Sequence, residues 1–575
     1  MISHKKIIVI LFSIALATPL ITGSDFYFEK NKNKNRLTLN ISGAVLPHHN
    51  IVGHQRAEFF SVLASNITPP DTIILLSPNH YRAGQQSIQT TNQEWKLNQG
   101  KIIANQNVIS YLAEHNLAAN NSSSFINEHG IYNILSDIYN NFPHAKIVPI
   151  IFDGATQTEL QDLKQGLMDS CLKCLMIASV DFSHYQPALL GQLHDDLSIR
   201  GLQMLDTANL FTKSEVDSGP ALALLAMWAK DHNTLHFELK NHTNSGIIAQ
   251  NPDIESTTHI FGWYEKGAPA APEKSVGFLV GGDMMFARGI NQIFGNDFNG
   301  AFSQFGDRVF WGTDASAINL EGSITQKPIP KDTPSNTMNF KFSPSIVKTL
   351  SFLHINAASQ ANNHSDNAGQ EGIDTTRSLL SAAHIQPFGG PTDSSVTRIA
   401  YVTGNEMSLA IIGINLTYPG QDAATLVPLI TELKKDPPTR VLVMPHWGEE
   451  YMSTHSKDQE YAAHLWIDAG ADMIIGSHPH VIQDAELYRG APIIYSLGNL
   501  LFDQAFSRQT QEGLLIAGKF TSDGLTFFGL PTTTIHYQPR LETKERKQEI
   551  LQAIYNPFEK HIQSTPAGLV VKILK

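Results

Sequence analysis

Short apolar runs alternate with amphipathic stretches along the first half of the chain. The runs predict strands, and the stretches with apolar residues at helical spacing predict helices. The predicted strands are 37–46, 72–77, 145–152 and 174–180, and the predicted helices include 56–65 and 220–230. Strands that alternate with helices indicate an α/β sheet with parallel strands.

The second half repeats this pattern. Its predicted strands are 276–282, 315–320, 354–360, 439–445, 471–476 and 491–497, and its predicted helices are 370–384 and 458–470. A hairpin around 522–524 and a helix over roughly 542–555 follow. The stretch 265–275 is rich in Ala, Pro and charge and is typical of a linker. We therefore predict two α/β domains, at 36–264 and 276–535, and a C-terminal extension over 536–575.

The N-terminus has the pattern of a secretory signal. Lys5 and Lys6 precede an apolar run over 7–21, and small residues follow it. The run is shorter than the ~20 residues that a membrane span usually needs. We predict a signal peptide or an uncleaved anchor over 1–23, with the remainder exported to the periplasm or cell envelope. Membrane contact is expected only through this segment, if it is uncleaved.

Composition narrows the class of partner and of chemistry. The 575 residues carry a net charge of −12 without a basic block, which argues against nucleic acid as a partner. The 24 histidines favour metal chemistry. Cys171 and Cys174 precede an apolar run instead of opening a helix, so we expect buried thiols or a small local disulfide rather than a redox motif.

Polar side chains follow five successive strands of the second half. They are Asp283, then Asn319 and Glu321, then Asn362, Asn363 and His364, then His446, and finally His478 and His480. In open α/β sheets, sites form at the carboxyl ends of the strands, so we expect these residues at one edge. Mixed oxygen and nitrogen donors suit Mn, Fe or Zn better than Ca or Mg. Helix capping explains one such residue, but five coincident positions predict a metal centre.

The motifs of this half resemble the CapA family of poly-γ-glutamate capsule-synthesis proteins over roughly 276–510. They are GDMMFARG, INLEGSI, ANNHSDNAGQEGI, HWGEEY, IDAGADMIIGSHPHVIQ and YSLGNLLFDQ. The resemblance implies an α/β sandwich similar to the calcineurin-like metallophosphoesterases, with one or two divalent ions. It implies a metal shell of Asp283, Glu321, Asn363, His446, His478 and His480. It also implies His364 as general acid or transition-state donor, oriented by Asp366.

One departure from that fold family concerns the metal count. Metallophosphoesterases generally open with D-x-H, but Met285 stands two residues after Asp283. A mononuclear, weakened or rebuilt centre is therefore expected, and a purely structural metal is the alternative.

Several neighbouring residues are candidates for substrate binding or support. We predict that Arg288 and Trp447 bind substrate, with a surface salt bridge and a core position as the respective alternatives. Glu449 and Glu450 could touch the site or cap a turn. Asn499 and Asp503 follow another strand and could support the ligands.

The first half places imidazoles and carboxylates beyond its strand ends as well. His48, His80 and Asp181 could form the two-histidine, one-carboxylate site of a non-haem iron protein, with His129 and His184 as acid–base groups. The alternative is a hydrogen-bonded polar edge without metal.

The motifs VLPHHN, LLSPNHY, NEHGIYNIL, KIVPIIF and SVDFSHYQP resemble the Memo family, or AmmeMemoRadiSam system protein B, over roughly 40–264. That resemblance implies a fold similar to class III extradiol dioxygenases. It implies a cleft lined by His48, His80, His129, Asp181 and His184. Two motifs differ from those of the family. E-H-S-x-E reads EHGIY at 128–132, and C-G-x-G-P reads VDSGP at 216–220, without its cysteine.

Together these features predict an exported, metal-dependent hydrolase acting on envelope material. The expected partner is a phosphoester or an anionic γ-linked polymer such as poly-γ-glutamate. The alternative is a non-catalytic factor that binds such a polymer and helps to assemble or export it.

Overall fold

A computed structural model of the protein describes residues 40–295, 297–327, 334, 336–392 and 399–574. The predicted signal or anchor segment over 1–23 lies outside these residues. Within the described ranges, no helix has both the length and the apolar character needed to cross a bilayer.

The first region, residues 40–265, is built around one large sheet. Its strands are β1 Ile41–Leu46, β2 Thr72–Pro78, β3 Ile88–Thr90, β4 Trp95–Leu97, β5 Gly100–Ile102, β6 Ala119–Asn120, β7 Lys146–Phe152, β8 Cys174–Ser179, β9 His236–Asn244 and β10 Thr258–Glu265. Its α-helices are α1 Gly53–Asn66, α2 Gln106–Glu114, α3 His129–Tyr132, α4 Leu135–Asn141, α5 Gln157–Ser170, α6 Ala188–Met204, α7 Thr207–Thr212, α8 Gly219–Asp231 and α9 Ser245–Ile248. Short 3₁₀ helices cover Asn50–Val52 and Ser122–Phe125.

Eight of these strands form a sheet in the order β6-β3-β7-β2-β8-β1-β10-β9, and β4 pairs with β5 apart from it. The central strands β7, β2, β8 and β1 are parallel. Because helices cover both faces, these strands are apolar on both sides. Ile74 and Leu76 of β2 pack in the layer with α5 and α8, whereas Ile73 and Leu75 pack in the layer with α1 and α4.

The second region, residues 275–574, has more and shorter strands. They are β11 Ser275–Met284, β12 Ala315–Leu320, β13 Ser323–Ile324, β14 Lys341–Phe342, β15 Ala357–Ser359, β16 Gln386–Phe388, β17 Ile399–Thr403, β18 Ser408–Asn415, β19 Thr439–His446, β20 Met473–Ile475, β21 Ala485–Tyr488, β22 Ala491–Ile494, β23 Asn499–Leu501, β24 Glu512–Thr521, β25 Gly524–Ile535, β26 Gln538–Leu541, β27 Ile562–Thr565 and β28 Gly568–Leu574.

Seven α-helices accompany these strands in the described part of the second region. They are α10 Arg288–Phe294, α11 Ile346–Phe352, α12 Gly369–Ala382, α13 Val427–Leu433, α14 Lys457–Asp468, α15 Arg508–Gln511 and α16 Lys544–Tyr555. Three 3₁₀ helices cover Phe298–Phe302, Ala423–Leu426 and Asn556–His561.

Two sheets form a sandwich in this region. One has the order β16-β15-β12-β11-β24-β25-β28-β27, with β23 beside β11 and β26 beside β25, and the other has the order β17-β18-β19-β20-β22-β21. Phe278 and Val280 of β11 point into the core between the sheets with Leu409 and Leu442, whereas Leu279 points to the outer helices. This alternation follows from the two-residue period of a strand. The predicted class of two α/β domains, the second a sandwich, is confirmed.

Predicted and observed boundaries differ most where a strand is short. The stretch 354–360 contributes only Ala357–Ser359, because His354 adopts a left-handed conformation (φ 58°) at the end of α11. The stretch 491–497 contributes Ala491–Ile494. Cys171 and Cys174 form a disulfide between the end of α5 and β8.

The C-terminal residues continue the sandwich instead of standing apart from it. Strand β28 pairs with β25 in the larger sheet, and Phe558 is fully buried with its ring 5.4 Å from that of Phe527. The extension expected over 536–575 is therefore, over its described residues, part of the second region's core. The 265–275 stretch joins β10 directly to β11.

Helix α6 of the first region packs against the second region. Leu190 and Leu193 join the apolar layer outside the larger sheet of the sandwich. Arg200 pairs with Asp314, and Lys519 Nζ lies 2.7 Å from Asp196 Oδ2. The two regions are thus in direct contact along one helix.

We expect Phe558→Ala to lower the free energy of unfolding by about 3–5 kcal/mol, because it removes a fully buried ring. Leu569→Ala, at a side chain that is 46% exposed, is the control and should cost little. Denaturant unfolding of the full chain measures both. Equal, small effects would mean that the C-terminal residues are not part of the core.

Candidate metal centres

The carboxyl ends of the second region's strands bring the predicted polar residues together. Asp283 lies near the end of β11, Asn319 near the end of β12 and His446 at the end of β19. Glu321 and Asn363 follow β12 and β15, and His478 and His480 follow β20. Asp283 is in register with Asn319, so both project at the same level of the sheet.

Backbone conformation in two places permits this close assembly. A Cβ atom at Gly282 would collide with the carbonyl oxygen of Gly498, so only glycine lets β11 and β23 approach beside Asp283. His478 and His480 have φ values of 97° and 58°, in the left-handed region. Such conformations cost about 1–3 kcal/mol each and cluster at functional sites.

The side chains form two overlapping groups of donor atoms. One group is Asp283, Glu321 and His480, and the other is Glu450, His478 and His480; within each group the donor atoms lie within 4.8 Å of one another. His480 Nδ1 is 3.3 Å from Asp283 Oδ2, and its Nε2 is 3.5 Å from Glu321 Oε1. Both carboxylates are fully buried.

Two potential metal-coordinating atoms make no hydrogen bond, which fits the binding of a divalent ion. Glu321 Oε1 and His478 Nδ1 are buried and have no hydrogen-bond partner among the described residues. An unpaired buried polar atom costs about 1–3 kcal/mol, which coordination of a cation would offset. Carboxylate and imidazole donors together suit Mn, Fe or Zn.

Burial and neighbouring charges shift the pKa values of these side chains. Burial raises the pKa of Glu321 well above its ordinary value. Burial also lowers the pKa of His446, and lowers that of His478 to about 4, so both rings are neutral. Both nitrogens of His446 are hydrogen-bonded, to Ser477 and Asn363, whereas His478 Nδ1 keeps its lone pair available. His480 differs: burial opposes its charge, but Glu321 and Asp283 raise its pKa to about 9.

Amide side chains orient the ligands. Asn319 Nδ2 donates to Asp283 Oδ1 at 2.7 Å and lies 3.3 Å from Glu321 Oε2. Asn362 Nδ2 in turn donates to Asn319 Oδ1 at 3.0 Å. Asn363 Oδ1 lies 2.8 Å from His446 Nε2. The amides therefore fix the rotamers of one carboxylate and one imidazole before any ion binds.

The first region has its own cluster at the strand ends of its sheet. The rings of His48, His80 and His129 lie within 5.2 Å of one another, centroid to centroid. His48 Nε2 is 3.1 Å from Asp181 Oδ2 and 3.4 Å from Asp217 Oδ2. Donor atoms of the three histidines, and separately of His48, Asp181 and Asp217, lie within 4.8 Å of one another.

Charges in this cluster are strongly coupled. Burial opposes protonation of His80, but Asp217 and Glu128 raise its pKa to about 9, and Glu128 Oε1 lies 2.6 Å from His80 Nδ1. Burial and the neighbouring His80 lower the pKa of His129 to about 4. Burial and Asp217 raise the pKa of Asp181 to about 7.

Comparison with known proteins assigns both regions. Residues 25–247 match the family Memo-like protein, and residues 277–504 match Bacterial capsule synthesis protein PGA_cap. A MEMO1 family protein of Methanosarcina barkeri is 30% identical over 223 residues, which are 36% of this chain and 82% of that protein. The PGA biosynthesis protein CapA of Bacillus subtilis is 28% identical over 318 residues, which are 52% of this chain and 82% of that protein.

The chain is a fusion of a Memo-family domain and a PGA_cap-family domain. The resemblances to Memo and CapA seen in the sequence are thereby confirmed. Among solved structures, purple acid phosphatase PPD1 from yellow lupin seeds superposes on 52% of this chain and 63% of its own, at 10% identity. Its TM-score of 0.24 is too low to bear on the fold or activity of the PGA_cap domain.

In the PGA_cap domain, His364 contacts Asn367 and not Asp366, the partner predicted from the sequence. His364 Nδ1 lies 2.9 Å from Asn367 Oδ1, and its ring stacks on Phe340 at 3.9 Å. Asp366 instead accepts from the Tyr418 hydroxyl, which is 3.2 Å from both carboxylate oxygens. The expectation that Asp366 orients His364 is therefore corrected, because the turn at 364–367 places Asn367 against the ring.

Two predicted substrate-binding residues are buried in other roles. Arg288 pairs with the buried Asp503, and its guanidinium lies 4.7 Å from the Phe340 ring centroid. Trp447 is 1% exposed, stacks on Trp466 and donates from Nε1 to the Tyr495 carbonyl. Both predictions are corrected: a residue that is already paired within the core has no free surface for a substrate.

Two residues that contact the candidate ligands were considered in the sequence analysis but not predicted to bind metal. Glu450 shares a group with His478 and His480, and Asn499 Oδ1 lies 3.0 Å from His480 Nδ1. The strand-end rule points to Asn499, whereas Glu450 lies four residues beyond the end of β19, where that rule loses precision.

In the Memo domain, Asp217 is the main residue that sequence reasoning missed. It faces His48 and His80, and it stands at the first glycine position of the family motif, directly after Val216 at the cysteine position. The available signal was the departure of VDSGP at 216–220 from the motif, which puts a carboxylate in place of a glycine next to the missing cysteine. His184, predicted to line the cleft, is held through its amide by Glu215 Oε1 at 3.0 Å.

Substitution of Glu321 by glutamine should affect metal binding and stability in opposite directions. Loss of the ligand should weaken Mn²⁺, Fe²⁺ or Zn²⁺ binding by about 100-fold or more, since even outer partners of a metal ligand contribute 10–100-fold. The metal-free chain should be as stable or more stable, because a buried carboxylate is removed. Elemental analysis and thermal unfolding test this, with Trp466→Phe as a control that should retain metal. Full metal content in Glu321→Gln would exclude Glu321 as a ligand.

Asp217 should set the metal preference of the Memo domain. We expect Asp217→Asn to weaken binding of Fe²⁺ or Mn²⁺, and Asp217→Cys to favour Zn²⁺ or Cu⁺, because thiolates select softer ions. Competition titrations with these metal ions, carried out in a Glu321→Gln background, would measure the metal affinities of the Memo domain. An unchanged order of affinities in Asp217→Cys would contradict the assignment.

Proposed function

We propose that the PGA_cap domain is a metal-dependent hydrolase of cell-envelope or capsule material, with a phosphoester or a γ-linked glutamate polymer as substrate. We propose one or two ions of Mn, Fe or Zn as its cofactor. Similarity to capsule-synthesis proteins supports the class of material, and the N-terminal pattern over 1–23 supports export to the periplasm or cell envelope.

One observation carries the enzymatic proposal. Asp283, Glu321 and His480 are buried at the strand ends with their donor atoms within 4.8 Å, and Glu450 and His478 form an adjoining group. A bound divalent ion would supply a water of lowered pKa and polarise a phosphoryl or carbonyl oxygen. Because Asn319 already fixes Asp283, the chain holds its ligands in place without further rearrangement.

His364 is the proposed proton-transfer group. Asn367 Oδ1 accepts from the Phe340 amide at 2.6 Å, so the nearby His364 Nδ1 must carry the proton that it donates to the same oxygen. Burial lowers the pKa of His364, which keeps the ring neutral. Nε2 is then a proton acceptor, and we propose it as a base instead of the acid that the family resemblance implied.

The second candidate function is a non-catalytic role in binding an anionic polymer during its assembly or export. Met285, where metallophosphoesterases have a histidine, accepts from the Ala287 amide at 2.8 Å through its sulfur and is fully buried. The relative from Bacillus subtilis is named for biosynthesis, not for cleavage. In this role the ion would bind polymer carboxylates without turning them over.

Turnover by the metal-loaded full chain separates these functions. We expect hydrolysis of either bis(p-nitrophenyl) phosphate or poly-γ-glutamate after loading with Mn²⁺, Fe²⁺ or Zn²⁺. His364→Ala should lower kcat by about 10²–10⁴-fold with metal retained, the usual contribution of a proton-transfer residue.

Asp366→Asn is the matched control, because Asp366 contacts Tyr418 and not the His364 ring. It should leave kcat within a few-fold of the unmodified chain. Metal-loaded protein that binds poly-γ-glutamate, cleaves neither compound and is unaffected by His364→Ala would favour the non-catalytic role.

A further inference from the structure

The loop 308–312 of the PGA_cap domain reaches the edge of the Memo-domain cleft. Arg308 Nη1 donates to Glu215 Oε1 of the Memo domain at 3.3 Å. Gly312 lies so close to His194 that a Cβ atom would collide with its ring, and its φ of 75° also favours glycine. This loop precedes β12, the strand that delivers Asn319 to the other centre.

Glu215 is a fully buried carboxylate with each oxygen held by a separate set of donors. Oε2 accepts from His194 Nδ1 at 2.6 Å. Oε1 accepts from the His184 amide at 3.0 Å and from Arg308. Although burial opposes ionisation, His194 and Arg308 keep the pKa of Glu215 below its ordinary value. The Arg308 side chain is 26% exposed, whereas that of Glu215 is fully buried, so loss of Arg308 would leave a buried carboxylate without its cationic partner.

Glu215 fixes two segments of the cleft. It holds the backbone of His184, and it lies two residues before Asp217, whose Oδ2 accepts from the Asp181 amide at 3.0 Å. The Asp217 amide donates back to the Asp181 carbonyl at 3.1 Å. The position of Asp217 near His48 and His80 therefore depends on how the 214–218 segment is anchored.

We propose that Arg308 of the PGA_cap domain is a positioning residue for the Memo-domain cleft, acting through Glu215 on His184 and Asp217. The Memo domain of this chain is then complete only when the PGA_cap domain is packed against it. This goes beyond the proposed hydrolase, since it concerns the other centre and does not require turnover at the first.

Hydrogen exchange of the full chain tests this assignment locally. In Arg308→Gln, amides in segments 181–186 and 214–218 should exchange about tenfold faster, because the carboxylate that accepts the His184 amide loses its cationic partner. Arg308→Lys retains the charge and should restore most of the protection. The result should be confined to these segments.

Arg200→Gln is the matched control. It breaks another ion pair between the same two domains, but its partner Asp314 accepts from the Gly277 amide and not from a cleft residue. Its exchange should be unchanged in 181–186 and 214–218. Gly312→Ala, which presses on His194, is a second variant expected to speed exchange in the same segments, and it decides the matter if Arg308→Gln does not fold.

Metal affinity is the second readout. In a Glu321→Gln background, Arg308→Gln should weaken Mn²⁺ binding by about 10–100-fold, as loss of an outer partner does, and Arg200→Gln should not. If the Memo domain takes up no Mn²⁺, hydrogen exchange in the two segments tests the proposal on its own. Identical exchange profiles for the Arg308 and Arg200 variants, or none altered in the two segments, would overturn the proposal.

Discussion

Two acidic side chains, Asp283 and Glu321, are fully buried at one edge of the sandwich, and the residues at the neighbouring strand ends are arranged around them. Removal of a carboxylate from water costs several kcal/mol unless a cation or hydrogen bonds replace the water. Asn319 and His480 supply part of that replacement. Glu321 Oε1 accepts no hydrogen bond from the described residues and has only His480 Nε2 at 3.5 Å, so the compensation is incomplete.

The same constraint explains features that otherwise look unfavourable. Two histidines in left-handed conformation, and a glycine where β11 meets β23, all cost backbone free energy. Each places a donor or removes an obstacle within a few ångströms of the carboxylates. The backbone near the carboxylates is therefore strained because it holds the candidate ligands in fixed positions.

In the Memo domain, buried charge is balanced across a domain boundary. Glu215 is hydrogen-bonded by His194 from its own domain and ion-paired with Arg308 from the other. Helix α6, which carries His194, also buries Leu190 and Leu193 against the sandwich. The apolar contact and the ion pair thus lie on the same helix, so that docking of the domains and geometry of the cleft are linked.

The sequence determines the position of some residues but not the contacts of others. Apolar runs ending in Asp, Asn or His placed the candidate ligands of both clusters at strand ends, because strand periodicity and the carboxyl-edge rule are local. The two-domain α/β class followed for the same reason, and the departure from the D-x-H motif marked Met285 as unusual. Contacts between distant segments were decided only by the tertiary structure. Whether Trp447 faces solvent or Trp466, and which residue accepts a hydrogen bond from Arg308, depend on packing between segments distant in sequence. Whether Asn367 or Asp366 meets His364 is decided within one turn, by the conformation of its backbone. Adjacent positions in a turn differ little in composition, and no periodic pattern distinguishes which of them points into the site.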